Sequence, residues 1–359
     1  MDVELAKPLI GPDEEAAVLR VLRSGGLAQG PEVAAFEEEF SELVEGRHCI
    51  AVNSGTSALH LALIALGVGP GDEVVVPSFT FAATANAVRL VGAVPVFADI
   101  RSDDFCLDPA AVKAAITDRT RAVVPVHLYG HPAPMPELAA LAQERGLLLI
   151  EDAAQAHAAA VDGRPAGAWG DAACFSFYPT KNMTAGEGGL VVTPYAGIAR
   201  TLRLLRNQGM EKRYENEIVG FNLRMTDIAA AIGRVQLRKL ADWTVTRRRH
   251  AALLSQELAG VVVPTEAATA THVYHQYTVR SADRDALQAH LAERGVGSGV
   301  YYPVPVHRLP AFVGSDADLP TTELASREVL SLPVGPHLRT ADVEKVVAAV
   351  NSFTGGQAG

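Results

Sequence analysis

Hydrophobic and polar positions alternate in two ways between about residues 33 and 205. Short apolar runs are typical of buried strands, and the longer amphipathic runs between them are typical of helices. The predicted strands are residues 49–52, 73–76, 94–97, 122–126, 147–150, 173–177 and 190–193. The helices between them include residues 57–66, 82–91, 109–116 and 136–144. This alternation predicts an α/β fold, with a mostly parallel central sheet flanked by helices.

The pattern changes after Thr226, where helical periodicity continues to about residue 259. A strand-like segment at 274–280, a helix at 284–294 and a final helix at 340–352 follow. Because 359 residues exceed the usual size of one domain, we expect two domains. The predicted division is a large domain at residues 1–245, including the N-terminal segment, and a smaller C-terminal α/β domain at 246–359. Residues 355–359 are predicted to be disordered.

Composition narrows the class of protein. Its 48% hydrophobic and 20% charged residues are typical of a globular protein with a sizeable core. The net charge of −10 argues against a nucleic-acid-binding surface, which requires a basic stripe. No apolar run reaches the roughly 18 residues that a membrane-spanning helix needs, and the first residues lack the pattern of a secretory signal. We therefore expect a cytoplasmic protein with no membrane or nucleic-acid partner.

Several common kinds of active site have no counterpart in the sequence. The cysteines Cys49, Cys106 and Cys174 are far apart among apolar neighbours, which predicts buried free thiols. The histidines show neither HxxxH nor HExxH spacing, so no metal is predicted. No GxSxG motif supports a serine hydrolase, and no GxGxxG follows a strand as a nicotinamide site requires.

The strongest chemical signal comes from the ends of two predicted strands. Lys181 lies between a strand that ends in Ser-Phe-Tyr-Pro and a glycine-rich segment at 186–189, and Asp152 follows the strand at 147–150. In such sheets ligands bind at the carboxyl ends of the strands, so the two side chains are expected to meet there. Pyridoxal phosphate requires this pair, a lysine for the Schiff base and an acid at the pyridine nitrogen. The alternatives are a surface lysine in a loop and an aspartate that caps a turn.

A second set of residues suits a phosphate group. The segment 53–59 follows a strand and begins a helix, and the free N–H groups of a helix start form an anion site. Gly55 allows close approach of the backbone, while Thr56 and Ser57 add hydroxyl donors, unless one of them simply caps the helix. Ser176 points to the opposite face of its strand from the neighbouring phenylalanines. It either contacts the phosphate or is a satisfied polar residue.

Further candidates lie elsewhere along the chain. Gln155 follows Asp152 closely enough to reach a substituent of the cofactor ring. Phe81 either stacks on that ring or packs in the core, as aromatic residues commonly do. The segment 301–307, which includes Tyr302 and His307, is a proline-rich polar loop suited to a sugar or a diphosphate. A lone histidine such as His307 also commonly has a structural role.

With these residues in place, the chain resembles the DegT/DnrJ/EryC1/StrS family of pyridoxal-phosphate sugar aminotransferases, which have the aspartate aminotransferase fold, fold type I. The matching blocks extend over almost the whole chain, at residues 24–31, 53–59, 76–86, 151–157, 175–189, 220–227 and 301–307. Each block is moderately specific, and their order is highly specific. Two departures from the family are small. Ala158 stands where glycine is common, and alanines at 229–231 stand where a glutamine often appears, and neither affects the chemistry.

The resemblance implies a role for each candidate residue. Lys181 would form the Schiff base with pyridoxal phosphate, and Asp152 would pair with its pyridine nitrogen. Gln155 would contact the ring region, and Phe81 would stack on the ring. The phosphate would be held by Gly55, Thr56, Ser57 and Ser176. Asn222 matches a position that reaches the phosphate of the neighbouring subunit, so a homodimer with shared active sites is expected.

The resemblance also implies a reaction. One branch of the family replaces the lysine with histidine and dehydrates sugars, whereas this chain keeps Lys181. The expected activity is therefore transfer of an amino group from an amino acid, L-glutamate, to a nucleotide-linked keto-sugar in deoxyaminosugar biosynthesis. A 3-keto sugar is favoured over a 4-keto sugar, with substrate contacts from Tyr302, His307 and Arg224. The alternatives are a cyclitol ketone or amino-shikimate-type substrate, and a non-catalytic regulator of the same fold.

Overall fold

Runs of valine, alanine and isoleucine form the strands of a central sheet, and amphipathic segments form the helices that cover it. The computed structural model describes residues 2–312, 314 and 317–354, so the predicted disorder at 355–359 lies outside the described residues. The strands are β1 His48–Val52, β2 Glu73–Pro77, β3 Val94–Ala98, β4 Thr120–Val123, β5 Leu148–Asp152, β6 Ala160–Val161, β7 Arg164–Pro165, β8 Ala172–Ser176, β9 Gly189–Thr193, β10 Ala270–Thr271, β11 Tyr277–Arg280 and β12 Val329–Leu332. The α-helices are α1 Pro12–Ser24, α2 Pro31–Ser41, α3 Gly55–Ala65, α4 Ala83–Leu90, α5 Pro109–Ala115, α6 Met135–Arg145, α7 Ala196–Arg206, α8 Asp227–Glu257, α9 Arg284–Glu293, α10 Pro320–Glu328 and α11 Thr340–Asn351.

The central sheet has seven strands in the order β1-β9-β8-β5-β4-β2-β3. Strand β9 runs antiparallel to β1 and β8, whereas the other neighbouring pairs are parallel. Strands β2, β8 and β9 are buried along their whole length, as strands covered on both faces must be. The predicted mostly parallel α/β fold is confirmed.

Two hydrophobic cores lie on opposite faces of this sheet. Alternate residues of β8 enter different cores, Cys174 on the face covered by α3 and α4, and Phe175 on the face covered by α2 and α8. This follows from the alternation of side chains along a strand. Cys49, Cys106 and Cys174 are buried and free, as predicted.

A further core surrounds the antiparallel pair β11 and β12, which is packed by α9 and α11. Val3 is buried in this core and bridges to Val296. Helix α8 contributes Leu240 to a core of the central sheet and Leu254 to the core around β11, so the predicted boundary at residue 245 falls inside one continuous helix. The division into domains at that position remains a prediction. In the part of the chain that the structure describes, no helix is long and apolar enough to cross a membrane.

Candidate active site

The loops after β1, β5 and β8 surround a cavity of about 590 Å³. Eight of the residues predicted from the sequence line it, namely Gly55, Thr56, Phe81, Asp152, Gln155, Ser176, Lys181 and Tyr302. Residues from distant parts of the chain therefore meet at the edge of the sheet where parallel α/β folds bind their ligands.

One wall of the cavity is the start of α3. Ser54 is the N-cap residue, and its Oγ accepts a hydrogen bond from the backbone N–H of Ser57 at 3.1 Å. The hydroxyls of Ser54 and Ser57 lie 2.9 Å apart, so Ser57 takes part in the cap, whereas Thr56 lines the cavity. Because the N–H groups of a first helical turn have no partner within the helix, this wall is an anion-binding surface.

Gly55 brings this helix start against the end of β8. A Cβ atom on Gly55 would lie 2.8 Å from the Cβ of Ser176, closer than such atoms approach, so glycine is required. Ser176 is buried and lines the cavity, while Phe175 and Phe177 pack in the core on the other face of the sheet. The alternation predicted for this strand is present, and it places a hydroxyl beside the anion-binding helix start.

Asp152 is a buried carboxylate fixed by two donors. Thr84 Oγ1 donates to its Oδ2 at 2.7 Å, and the backbone N–H of Ala154 donates to its Oδ1 at 3.2 Å. Burial raises the pKa of Asp152, while these hydrogen bonds and the charge of Lys181 act in the opposite direction. The hydroxyl of Thr80, itself a cavity residue, lies 3.1 Å from that of Thr84. Sequence reasoning assigned no role to either threonine, although both lie in the block at residues 76–86 that resembles the family.

Lys181 is half-buried in the loop after β8. Burial lowers the pKa of its amine to about 8, and the carboxylate of Asp152 counteracts part of that shift. A lysine amine reacts as a nucleophile or base only when it is neutral, so a lowered pKa suits both roles near neutral pH.

The region between Asp152 and the open side of the cavity is built from Gln155 and aromatic rings. The Oε1 of Gln155 accepts from the backbone N–H of Tyr129 at 2.7 Å, and its Nε2 donates to the hydroxyl of Tyr302 at 3.2 Å. The ring of Phe81 is 59% exposed and lies 6.1 Å from that of Tyr302, whereas Phe79 is fully buried. Of the two phenylalanines, only Phe81 presents a free ring to a ligand.

Besides Ser57, three predicted site residues do not line the cavity. His307 is buried, with Nδ1 2.6 Å from the hydroxyl of Ser78 and Nε2 3.4 Å from Glu323, because its loop turns away after Tyr302. Arg224 donates to the side chain of Asn207 at 2.7 Å. Asn222 is exposed and does not line the cavity, and its expected role in a partner subunit remains a prediction.

The cavity also includes residues that the sequence did not suggest. His275 and Gln276 belong to the segment before β11, and Leu5 and Ala6 come from the N-terminal segment. None of them lies in a motif, and they reach the cavity only because distant segments pack together.

A lysine and a buried carboxylate facing one cavity, with an anion-binding helix start at its wall, are the groups that a pyridoxal-phosphate enzyme requires. Pyridoxal phosphate fits this set of groups, since each of its polar parts has a matching side chain or helix end. The sequence matches the DegT/DnrJ/EryC1/StrS aminotransferase family over residues 8–351, and the chain belongs to that family. The predictions of the family, of an aminotransferase and of its cofactor are confirmed. The crystal structure of NtdA from Bacillus subtilis with bound cofactor PMP superposes with a TM-score of 0.89, at 31% identity over 95% and 82% of the two chains.

Individual relatives are similar over almost their whole length. The dTDP-3-amino-3,4,6-trideoxy-alpha-D-glucose transaminase of Streptomyces venezuelae is 45% identical, over 98% of this chain and 95% of the relative. The UDP-N-acetyl-3-dehydro-alpha-D-glucosamine 3-aminotransferase of Acidithiobacillus ferrooxidans is 42% identical, over 92% and 91%. The crystal structure of S. venezuelae DesV in complex with a ketimine intermediate superposes with a TM-score of 0.91, at 46% identity over 94% and 93% of the two chains.

Proposed function

We propose that the protein transfers an amino group from L-glutamate to the 3-keto carbon of a nucleotide-linked sugar, with pyridoxal phosphate as cofactor. The observation that carries this proposal is the single cavity that contains both Lys181 and Asp152 and still has room beyond them. Its volume of about 590 Å³ is typical of a site for a small organic ligand.

Each residue of the site has a distinct part in this proposal. When bound, the cofactor supplies an electron sink for a carbanion. Lys181 would hold the cofactor through its amine, and the same amine, when free, would serve as the base that moves a proton at the substrate carbon. Asp152 holds a proton at the pyridine nitrogen, and its own orientation is fixed by Thr84. The start of α3 and Ser176 would hold the phosphate, and Phe81 would pack against the ring.

The choice of a 3-keto sugar is supported by the two relatives, whose names both place the amino group at position 3. The open side of the cavity is suited to a large polar acceptor. Tyr178 and Glu187 line it and are exposed, so they are free to meet a ligand that extends out of the cavity. A homodimer is part of the same proposal, with Asn222 reaching the phosphate bound by the partner subunit.

The test supplies purified protein, L-glutamate and a panel of UDP- and dTDP-linked 3-keto and 4-keto sugars, and identifies the product by mass spectrometry. We expect amination of a 3-keto sugar and formation of 2-oxoglutarate in equal amount. Amination confined to 4-keto sugars would overturn the choice of position. Amination of a cyclitol ketone, without saturable binding of UDP or dTDP, would overturn the choice of a nucleotide-linked acceptor.

A further inference from the structure

The loop at residues 301–307 is held at its start, where it contributes to the cavity. The hydroxyl of Tyr129 donates to the carbonyl of Tyr301, and Nε2 of Gln155 donates to the hydroxyl of Tyr302 at 3.2 Å. Both tyrosines of the loop line the cavity. Two of the next three residues are prolines, whose rings restrict the backbone. The loop therefore keeps one shape if its other end is held as well.

The other end of the loop is bound to Ser78, the residue after β2. The backbone N–H of Val306 donates to the carbonyl of Ser78 at 3.0 Å, and the N–H of His307 donates to the Ser78 hydroxyl oxygen at 3.1 Å. Nδ1 of the His307 ring lies 2.6 Å from the same hydroxyl. Ser78 and His307 are 0% and 2% exposed, so loss of one of these hydrogen bonds would leave a buried polar group without a partner.

The group on the far side of the His307 ring determines which atom donates to which. Nε2 lies 3.4 Å from the carboxylate of Glu323, which can only accept, so Nε2 carries the proton. Burial lowers the pKa of His307 against the effect of that carboxylate, so the ring is neutral near neutral pH. Nδ1 of the neutral ring then has a lone pair, and the hydroxyl of Ser78 donates to it. This hydroxyl both accepts from His307 and donates to it.

The residues that follow Ser78 form another part of the cavity. Thr80 and Phe81 line it, and the ring of Phe81 lies 6.1 Å from that of Tyr302. The buried ring of Phe79 packs edge-on against Tyr302 at 6.4 Å. The hydrogen bonds of Ser78 thus join the bases of two loops whose rings meet at the open side of the cavity.

We propose that Ser78 and His307 are positioning residues for acceptor binding, and that the hydrogen bond from Ser78 Oγ to His307 Nδ1 holds Tyr302 in place opposite Phe81. Neither Ser78 nor His307 lines the cavity, so both act through the two rings. His307 then contributes to acceptor binding without contact with the acceptor. This role rests on the proposed function, in which the acceptor is a nucleotide-linked keto-sugar.

Three variants test the hydrogen bond itself. Asparagine and leucine have nearly the same shape, but only asparagine has a polar atom where histidine has Nδ1. His307→Asn therefore keeps an acceptor for the Ser78 hydroxyl, and His307→Leu removes it. Ser78→Ala removes the same bond from the other side.

The first measurement is amide hydrogen exchange of the peptide 301–309 in the holoenzyme, which does not depend on turnover. Exchange reports how often the loop opens, and the loss of one hydrogen bond makes opening more frequent. We expect exchange to be about three- to tenfold faster in His307→Leu and Ser78→Ala, and near the wild-type rate in His307→Asn. Wild-type exchange in the Leu and Ala variants would overturn the proposal.

The second measurement is KM for the keto-sugar that the wild-type protein aminates. We expect KM to rise by about three- to tenfold in His307→Leu and Ser78→Ala and to stay near the wild-type value in His307→Asn. The rate of the half-reaction with glutamate should be unchanged in all three. Because one bond is lost in each case, the double variant Ser78→Ala/His307→Leu should show no more than the larger single effect.

The outcomes separate positioning from stability and from the proposed function. An unchanged KM despite faster exchange would show that the bond serves stability alone and would overturn the positioning role. Equal rises in KM in the Asn and Leu variants, or additive effects in the double variant, would overturn the role of the bond at Nδ1. Circular dichroism shows whether each variant keeps the fold, and Ser78→Ala carries the comparison if His307→Leu does not. Failure of the wild-type protein to aminate any nucleotide-linked keto-sugar would instead overturn the proposed function, and the exchange rates would still test the contact between the loops.

Discussion

The two sides of the cavity differ in burial and in how their side chains are held. The inner wall consists of Asp152, Gln155, Ser176 and His275, which are buried; Asp152 and Gln155 are held by hydrogen bonds from backbone and side chains. The outer wall consists of Phe81, Tyr178 and Glu187, together with the half-buried Tyr302, which is hydrogen-bonded to Gln155 of the inner wall. Phe81 and Tyr178 are 59% and 48% exposed, and Glu187 is exposed as well.

This difference suits the two walls to different functions, cofactor chemistry and recognition of the acceptor. A buried polar group that is fully hydrogen-bonded has one orientation, which is what a reacting centre requires. Exposed side chains are held by fewer contacts and can be exchanged at little cost in stability, so they suit recognition of variable substrates. We therefore expect changes in the inner wall to affect cofactor chemistry and changes in the outer wall to affect the acceptor.

The largest expected effect comes from removing the amine that faces the inner wall. Lys181→Ala should abolish transamination and the visible absorbance of bound pyridoxal phosphate, because the neighbouring Asn182 has no amine to form the link. Lys212→Ala, at an exposed position, is the control and should leave both unchanged. Absorbance spectra and peptide mass spectrometry after borohydride reduction provide the measurement. A stable adduct on another lysine in the Lys181→Ala protein would contradict the assignment.

Asp152→Asn should have the next largest effect. The substitution keeps the shape of the side chain but removes the charge that holds a proton on the pyridine nitrogen, so kcat should fall by at least about a hundredfold. Cofactor retention and the melting temperature should change much less. Glutamate consumption under saturating acceptor measures the effect. Amino transfer at a near-normal rate would show that the carboxylate is not needed.

How well each site residue could be predicted from the sequence depends on how far along the chain its contact partner lies. Asp152 ends one strand of recognisable pattern and Lys181 follows another. Side chains at the ends of parallel strands share one edge of a sheet, so local sequence places both at the cavity. Thr84 contacts Asp152 across 68 positions of the sequence, and His275 contacts Asn182 across 93. These contacts form only when the chain has folded and distant segments pack together.

The loop at 301–307 is a case in which local sequence led to a wrong expectation for one of the two residues. Its composition suggested two substrate contacts, but the loop contributes Tyr302 to the cavity and then directs His307 to Ser78 and Glu323. Composition predicts that a loop is polar, and it does not predict which of its side chains turns inward. The cap of α3 shows the same limit between neighbouring residues. The hydroxyl that accepts from the first helical turn belongs to Ser54, and Ser57 joins the cap only through its hydroxyl contact with Ser54.

Asn222 lies outside both walls. Its substitution tests whether a second subunit completes the inner wall. Asn222→Ala should weaken cofactor retention if the residue serves the partner's phosphate, and the protein should sediment as a dimer. Mixing Lys181→Ala and Asn222→Ala proteins under subunit exchange gives hybrids in which one site has both residues intact. Partial recovery of activity is expected. No recovery despite proven exchange would show that each chain builds its site alone.

A smaller effect within the inner wall should appear as a shift along the pH axis. The hydrogen bond from Thr84 lowers the pKa of Asp152 against the effect of burial, so Thr84→Val should raise that pKa. The carboxylate would then be protonated at higher pH, and the acidic limb of the kcat profile should move upward in pH. Thr84→Ser keeps the hydroxyl and should retain the wild-type limb. A limb that moves equally in both variants would assign the effect to packing.

The smallest expected effect lies on the outer wall. Tyr302→Phe removes the hydroxyl that accepts from Gln155 at 3.2 Å and leaves the aromatic ring beside Phe81. Loss of one neutral hydrogen bond corresponds to about 0.5–1.5 kcal/mol, so KM for the keto-sugar should rise by roughly three- to tenfold. The absorbance of the bound cofactor and the rate of the half-reaction with glutamate should stay unchanged, because Lys181 and Asp152 keep their partners. If the glutamate half-reaction slowed as much as the sugar half-reaction, Tyr302 would belong to the inner wall. Recognition of the acceptor would then be assigned to Tyr178 and Glu187 rather than to Tyr302.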